Sequence, residues 1–357
     1  MKTAIIGLPM TGKTSLFTIL TGVHQETRIG STAARTGVAR VPDPRLAELA
    51  RVFDARKVTH ATVEYVDMPS ISMDGLRDPS YLASLRVVDA FAHVLRLFAD
   101  ETVPHEKGSV DALRDLEDVE MELVLSDLMV IEKRLERLDK DRKKIKNPEL
   151  DREFELLERC RTLLEAGTPL RQLELAADDE KRIRGFQFLS QKPVLWVLNL
   201  GEEEAGRLHQ REREFASGAL AGRAHTAVTA VCGKIEAELA ELPAEEQRDY
   251  LASYGLGESG LERLIGATYA LLGLMSFLTA SEEEVRAWTI PQNSSALKAA
   301  GAVHSDFEKR FIRAEVANWR TLVDHGGYAG ARGKGQLRLE GKEYIVKDGD
   351  VLLIRHG

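Results

Sequence analysis

The first stretch of the chain limits its fold more than any later one. Gly7-Leu8-Pro9-Met10-Thr11-Gly12-Lys13-Thr14 places two glycines with four residues between them, followed by Lys and a hydroxyl residue, which is the pattern of a phosphate-binding loop. Thr3-Ala4-Ile5-Ile6 before it is short and β-branched and predicts a buried strand. Ser15-Leu16-Phe17-Thr18-Ile19-Leu20 after it carries apolar residues at helical spacing. Glycines at positions 7 and 12 let backbone N–H groups converge on phosphate oxygens, and the helix N-terminus adds favourable partial charge. Lys13 has the reach for β- and γ-phosphates, and the Thr14 hydroxyl suits Mg²⁺. The glycines alone would also fit an ordinary tight turn. With a strand before and a helix after, binding of a nucleoside triphosphate is the better reading.

At 357 residues the chain has room for two or three domains with substantial cores. Its apolar runs are too short for a transmembrane helix, and Met1-Lys2-Thr3 leads straight into the first strand without space for a signal peptide. No membrane partner is expected. Cys160 and Cys232 lie far apart with no metal-ligand spacing, which points to a reducing cytoplasm. The net charge of −8 is unevenly spread: residues 286–357 carry a net +4 and the remainder −12. A basic tail domain suits an anionic partner such as RNA, and an ordinary solvated surface accounts for it as well.

Further along, Pro44 fits a first helical turn ahead of Leu46, Leu49 and Phe53. Residues 58–66 predict a strand ending at Asp67, where an acidic residue can hold the water shell of Mg²⁺; a plain turn residue is the alternative. Residues 87–98 and Pro193 to Leu198 predict two more strands, the second ending at Asn199. Between them, Leu116, Val119, Leu123, Leu128, Ile131, Leu135 and Leu138 recur at spacings of three and four with a single step of five, as in a long helix of the coiled-coil kind. Asn147-Pro148 breaks it and a return helix follows. At about 1.5 Å per residue the arm reaches roughly 50 Å, so it projects from the body. Its tip holds Lys140, Arg142, Lys143, Lys144 and Lys146, either a nucleic-acid contact or a solvated face. His225 to Val231 predicts another strand, Leu261 to Leu278 an apolar helix. Two late strands are predicted over Gly341 to Val346 and Asp350 to Ile354. Asn199-Leu200-Gly201-Glu202 stands where GTPases of this topology carry Asn-Lys-x-Asp. Glu202 is a methylene longer than aspartate and Leu200 replaces the lysine, so the geometry that reads guanine is not reproduced.

Over essentially its whole length the chain resembles the Obg-like ATPase family, the YchF proteins. The resemblance is carried by the phosphate loop, by Thr36-Gly37-Val38 with Val41-Pro42-Asp43-Pro44-Arg45-Leu46, and by Lys192-Pro193-Val194 to Glu202. It continues through Lys234-Ile235-Glu236-Ala237-Glu238-Leu239, Glu284-Val285-Arg286-Ala287-Trp288-Thr289, His304-Ser305-Asp306-Phe307-Glu308-Lys309, Phe311-Ile312-Arg313-Ala314-Glu315-Val316, and Glu340-Gly341-Lys342-Glu343-Tyr344 to Val351. It implies an α/β fold: a Ras-like nucleotide-binding domain with an inserted α-helical coiled-coil hairpin and a C-terminal TGS domain of the β-grasp type. The corresponding boundaries are 1–110 with 188–278, then 111–187, then 279–357. It also implies a monomer with Mg²⁺ as cofactor, ATP preferred over GTP, slow hydrolysis, and association with ribosomes or structured RNA.

By position, the resemblance assigns Gly7 and Met10, Thr11, Gly12, Lys13, Thr14 and Ser15 to the phosphates. Asn199, Leu200 and Glu202 border adenine, and Cys232 and Gly233 complete the nucleotide set. Thr14, Ser31 and Asp67 serve the metal. Lys13 and His105 serve hydrolysis, His105 matching a loop histidine of the family, although a plain surface imidazole fits the residue equally. Ile71 matches a hydrophobic residue in place of the water-positioning glutamine. The departures fall beside the triphosphate. Met10-Thr11 replaces Asn-Val, Asp67-Met68-Pro69-Ser70 puts serine where the family has glycine, and the glycine-rich segment that follows is shortened to 72–80. Nucleotide binding is therefore expected more firmly than hydrolysis. A hydrolysis-defective, ATP-dependent binding module is the alternative, and a GTP-specific translation GTPase a further one.

Overall fold

The structure, a computed structural model, describes residues 1–23, 34–71 and 78–357. The described strands are β1 Lys2–Ile6, β2 Arg35–Arg40, β3 Val58–Thr59, β4 Thr62–Asp67, β5 Ala90–Arg96 and β6 Val194–Asn199. β7 Thr226–Val231, β8 Leu274–Ala280, β9 Val285–Pro291, β10 Phe311–Asn318, β11 Arg338–Glu340 and β12 Asp350–His356 follow. The chain divides into two compact units, Met1–Gly37 with Glu64–Ala267, and Val38–Val63 with Thr268–Gly357. Segment 38–63 thus groups with the C-terminal strands although it lies inside the span 1–110.

The first sheet runs β2-β4-β1-β5-β6-β7. From β4 to β7 every pairing is parallel, with Ile5 beside Asp67, Arg96 beside Asn199, and Asn199 beside Val231. Parallel strands in register bring their carboxyl ends to one edge, where open α/β sheets bind ligands. That edge collects the loop after β1, Asp67 of β4 and Asn199 of β6. β5 and β6 are buried throughout, as strands covered on both faces must be. Helix α1, Lys13–Thr21, starts inside the phosphate loop and seats Leu16 and Phe17 in the core.

In chain order α2 is Arg45–Phe53, α3 Pro79–Arg86, α4 Ala112–Lys144 and α5 Pro148–Glu165. The 33-residue α4 and its return α5 form the expected hairpin. Asp111 and Asn147 cap their starts through side-chain bonds to the Arg114 and Glu149 amides. Only part of this hairpin is an arm. Leu116, Val119 and Leu123 lie in the same core as Phe91 and Trp196. From Val124 onward the seam is filled by Ile131, Leu135, Leu138, Leu156, Leu157 and Leu164. Two buried polar groups bolt its base. Asp127 accepts the Leu189 and Ser190 N–H groups at 2.9 and 2.7 Å, and Glu120 pairs with Arg171 and Arg223.

The second sheet runs β11-β10-β12-β8-β9-β3. β8 and β9 form an antiparallel hairpin, β12 returns parallel to β8, and the helix Ala296–Val303 buries Ala296, Ala299 and Ala300 against the sheet, a β-grasp arrangement. Here the structure corrects three expectations. The helix expected over Leu261 to Leu278 stops at Leu271, and Gly273 at φ +61° turns the chain into β8. A fully buried strand has no alternation, so a continuous apolar run does not distinguish it from a buried helix. Gly341 to Val346 forms turns with a single bridge at Ile345 instead of a strand. The strand expected over residues 58–66 breaks at His60-Ala61, so β3 and β4 belong to different sheets. Within this unit Arg45 clamps Asp43 at 2.7 Å and Asp348 at 2.6 Å, which gives the Asp43-Pro44-Arg45 motif a structural role.

Asp127→Ala leaves two buried amides without acceptors and the Arg86 guanidinium, 3.5 Å away, without its anion. The expected cost is about 3 kcal/mol of unfolding free energy, read by urea denaturation. A loss within experimental error would show that the hairpin base is held by apolar packing alone.

Candidate functional site

The loop after β1 is shaped by the absence of side chains at two points. Gly7 sits at φ +147°, where a Cβ would stand 2.6 Å from the Val94 carbonyl oxygen. Gly12 sits at φ +92°, where a Cβ would collide with the Asn199 carboxamide. Met10 also takes a left-handed conformation, φ +59°, with its side chain in solvent. Thr11 is buried and donates its hydroxyl to the Leu8 carbonyl at 3.1 Å. Thr14 and Ser15 open the helix with exposed side chains.

Asn199 holds this loop to its neighbours. Its Nδ2 donates to the Thr11 carbonyl at 3.0 Å, and its Oδ1 accepts the Gly233 N–H at 3.0 Å. The end of β6 therefore ties the phosphate loop to the start of helix Gly233–Glu241. Leu200 is buried in the core, and Cys232 is a buried thiol whose pKa burial pushes up. At those two positions the backbone, not the side chain, faces the site. The Glu202 carboxylate takes the Lys234 ammonium at 2.5 Å and the Tyr254 hydroxyl at 3.0 Å.

Lys13 lies folded against the loop. Its ammonium donates to the Leu8 carbonyl at 2.5 Å and to the Ser70 hydroxyl at 3.1 Å. Burial draws its pKa down to about 8, against smaller upward pulls from Asp67 and Glu106. Ser70 thus contributes a contact that its place in the sequence does not announce. Ile71 donates its N–H to the Gly7 carbonyl at 3.0 Å and buries its side chain in the core.

Thr14 donates its hydroxyl to Asp67 Oδ2 at 3.2 Å. The same oxygen is paired with the guanidinium of Arg35, while Asp67 Oδ1 is buried with no hydrogen-bond partner among the described residues. A hydroxyl and a carboxylate meeting beside the phosphate loop, with one carboxylate oxygen unsatisfied, fit the Mg²⁺ of a nucleotide site. Among the described residues no three acidic, histidine or cysteine side chains converge. Such an ion would therefore be held jointly with phosphate oxygens rather than by the protein alone. Ser31 lies outside the described residues.

His105 is not a surface imidazole. Its side chain is 4% exposed, its Nδ1 accepts the Lys107 N–H at 3.1 Å, and its Nε2 lies 2.9 Å from Asp115 Oδ2 on α4. Because Nδ1 accepts, the proton sits on Nε2 and is donated to Asp115. Both nitrogens are engaged, and among the described residues no hydrogen bond joins the ring to Lys13. The loop carrying it is pinned by Arg96, which donates to the Val103 carbonyl at 2.8 Å. Arg35 is the residue near the metal position that no motif signalled, since its pairing with Asp67 spans 32 positions.

The parallel sheet, the loop at its carboxyl edge, the helical insert and the C-terminal unit define a phosphate-loop nucleotide-binding protein of the GTPase-like fold. A family model, YchF-GTPase_C, described as a protein of unknown function (DUF933), matches residues 274–357. The ribosome-binding ATPase YchF of Bacillus subtilis is 38% identical over 368 residues, 99% of each chain. Its namesake in Escherichia coli O157:H7 is 38% identical over 363 residues, 98% of each. The solved structure of the Schizosaccharomyces pombe YchF GTPase superposes with a TM-score of 0.85 at 26% identity, covering 99% of this chain and 97% of that one. The chain belongs to the YchF family, a family of nucleotide hydrolases.

An unfolded Lys13 keeps its proton up to about pH 10.5, whereas the folded one loses it near pH 8. The nucleotide-free fold is therefore penalised below pH ~8, and stability recovers as pH rises from about 8 toward 10.5. Lys13→Met is expected to stabilise the nucleotide-free protein at pH 7 by about 1–3 kcal/mol, read by thermal or urea unfolding. An unchanged or lowered midpoint would show that the ammonium's two hydrogen bonds outweigh its desolvation.

Proposed function

We propose that this protein is an ATP-binding, slowly hydrolysing switch that associates with ribosomes, acting as a monomer in the cytoplasm. The observation that carries the reading is the convergence of Lys13, Thr14 and Asp67 on one glycine-shaped loop. Lys13 would exchange its Leu8 and Ser70 contacts for phosphate oxygens, and the loop amides would take the β-phosphate. Mg²⁺, held by the Thr14 hydroxyl and the Asp67 carboxylate, would neutralise charge between the β- and γ-phosphates. Ser31, by its place in the sequence, is proposed for the same shell.

Adenine over guanine is supported by Glu202. Its carboxylate is already occupied by Lys234 and Tyr254, so it is poorly placed to accept the paired donors of a guanine edge. Asn199, Gly233 and the backbone at Leu200 and Cys232 are proposed to border the base. Slow turnover is supported by His105, which must break its bond to Asp115 before it can orient a water. Ribosome association rests on the relatives' names and on the hairpin tip. Arg142 and Lys143 are paired there with Asp151 and Asp139, while Lys140, Lys144 and Lys146 are exposed without an ion-pair partner among the described residues. Part of that charge serves the helix, since cations in a last turn favour its dipole.

A second reading, an ATP-dependent binding module without hydrolysis, is favoured by the Ser70 hydroxyl on Lys13 and by the two engaged nitrogens of His105. Titration with ATP and GTP, single-turnover hydrolysis and ribosome co-sedimentation separate these readings. Expected are ATP binding at least about tenfold tighter than GTP, a slow rate abolished by Lys13→Ala, and ribosome association that responds to a non-hydrolysable ATP analogue. No turnover with intact ATP binding selects the second reading, and equal or tighter GTP binding rejects both. Raising pH from 7 to 9 should weaken ATP binding about tenfold as the Lys13 ammonium is lost.

A further inference from the structure

The cation on Asp67 belongs to the protein itself. Arg35 opens β2 and lays its guanidinium against Asp67 Oδ2, the oxygen that also receives the Thr14 hydroxyl. The arrangement is enclosed, with Arg35 side-chain exposure 17% and that of Asp67 5%. The guanidinium carbon stands 5.6 Å from the centre of the ring of Phe17, a fully buried residue of α1. A buried carboxylate without a counter-charge is costly, and Arg35 supplies that charge when no metal is present. Resting on the nucleotide reading above, we infer that Arg35 is a displaceable resident cation that competes with Mg²⁺ for Asp67.

The physical reason is that two cations on one buried carboxylate repel each other. A divalent ion bound by Thr14 and Asp67 would stand beside a guanidinium in a partly desolvated pocket, where like charges repel strongly. Arrival of Mg²⁺ must therefore break the Arg35–Asp67 pair. Coupling of this kind is reciprocal, so the pair lowers apparent Mg²⁺ affinity by the factor by which bound metal disfavours the pair. The released guanidinium stays tethered at the start of β2, immediately after the segment that holds Ser31. Metal loading would in this way be felt by the strand that leaves the site. Asp67 Oδ1, buried with no hydrogen-bond partner among the described residues, is the oxygen at which that competition would begin.

The test is a Mg²⁺ titration of binding, with a ribose-labelled fluorescent ATP analogue as probe, compared among wild type, Arg35→Gln and Arg35→Lys. Arg35→Met is a second uncharged variant that keeps the aliphatic packing on Phe17, should Arg35→Gln fail to fold. The uncharged variants are expected to reach half-maximal binding at about tenfold lower Mg²⁺, and Arg35→Lys to stay close to wild type. Binding of the probe in EDTA should not improve in the uncharged variants. A half-point unchanged or raised in folded, uncharged variants overturns the inference while leaving nucleotide binding intact. A wild type that binds no probe at any Mg²⁺ concentration overturns the nucleotide reading and this inference with it.

Discussion

The Asn199 carboxamide is the interaction on which the site depends. Its two ends hold the Thr11 carbonyl and the Gly233 amide, so a single planar group keeps the phosphate loop and the start of a helix in one arrangement. The brace works because Gly12 has no Cβ to push it aside, and because the parallel register sets Asn199 level with Arg96 and Val231. Backbone donors fixed before a ligand arrives need little reorganisation, which is what a phosphate-binding loop requires.

Around that brace the charged and polar side chains of the site pair largely with one another. Lys13 turns to Leu8 and Ser70, Thr14 and Arg35 turn to Asp67, and His105 turns to Asp115. Each contact answers a buried polar or charged group that would otherwise be unpaired. On the function proposed above, the contacts of Lys13, Thr14 and Arg35 would be exchanged for phosphate oxygens and metal, so they would oppose ligand binding. His105 adds a link of another kind, since Asp115 lies in the first turn of α4 and the histidine's loop is docked on the helical insert.

The hairpin base shows how a charged surface helix becomes a fixed part of the body. Leu116, Val119 and Leu123 share a core with Trp196, and Asp127 accepts two backbone amides that no helix or strand satisfies. Deeper along α4 the heptad seam packs against its return helix and against Leu170, Ile183 and Phe188. Anchored at one end and self-packed at the other, the insert can carry a basic tip away from the sheet without losing its orientation to the phosphate loop within the same unit.

The strand before Gly7, the helix after Lys13, the long heptad pattern and its Asn147-Pro148 break were legible because each is a local signal written within a few residues. That Lys13 and Thr14 would meet Asp67 beside one loop was expected for the same reason, as was the early grouping of strands that end at Asp67 and Asn199. The β8 strand was not, because a fully buried strand shows no alternation and only the Gly273 turn and the partners β9 and β12 decide it. Nor were Arg35 on Asp67, Ser70 on Lys13 and the occupied Glu202, since pairing across 32, 57 and 32 positions leaves no spacing to read. The sequence by itself determined that a triphosphate loop opens an α/β domain with a helical insert, because glycine geometry and hydrophobic period are properties of neighbouring residues. Only the tertiary structure decided which charges compensate one another at that loop, because compensation depends on distance in space and on the exclusion of water.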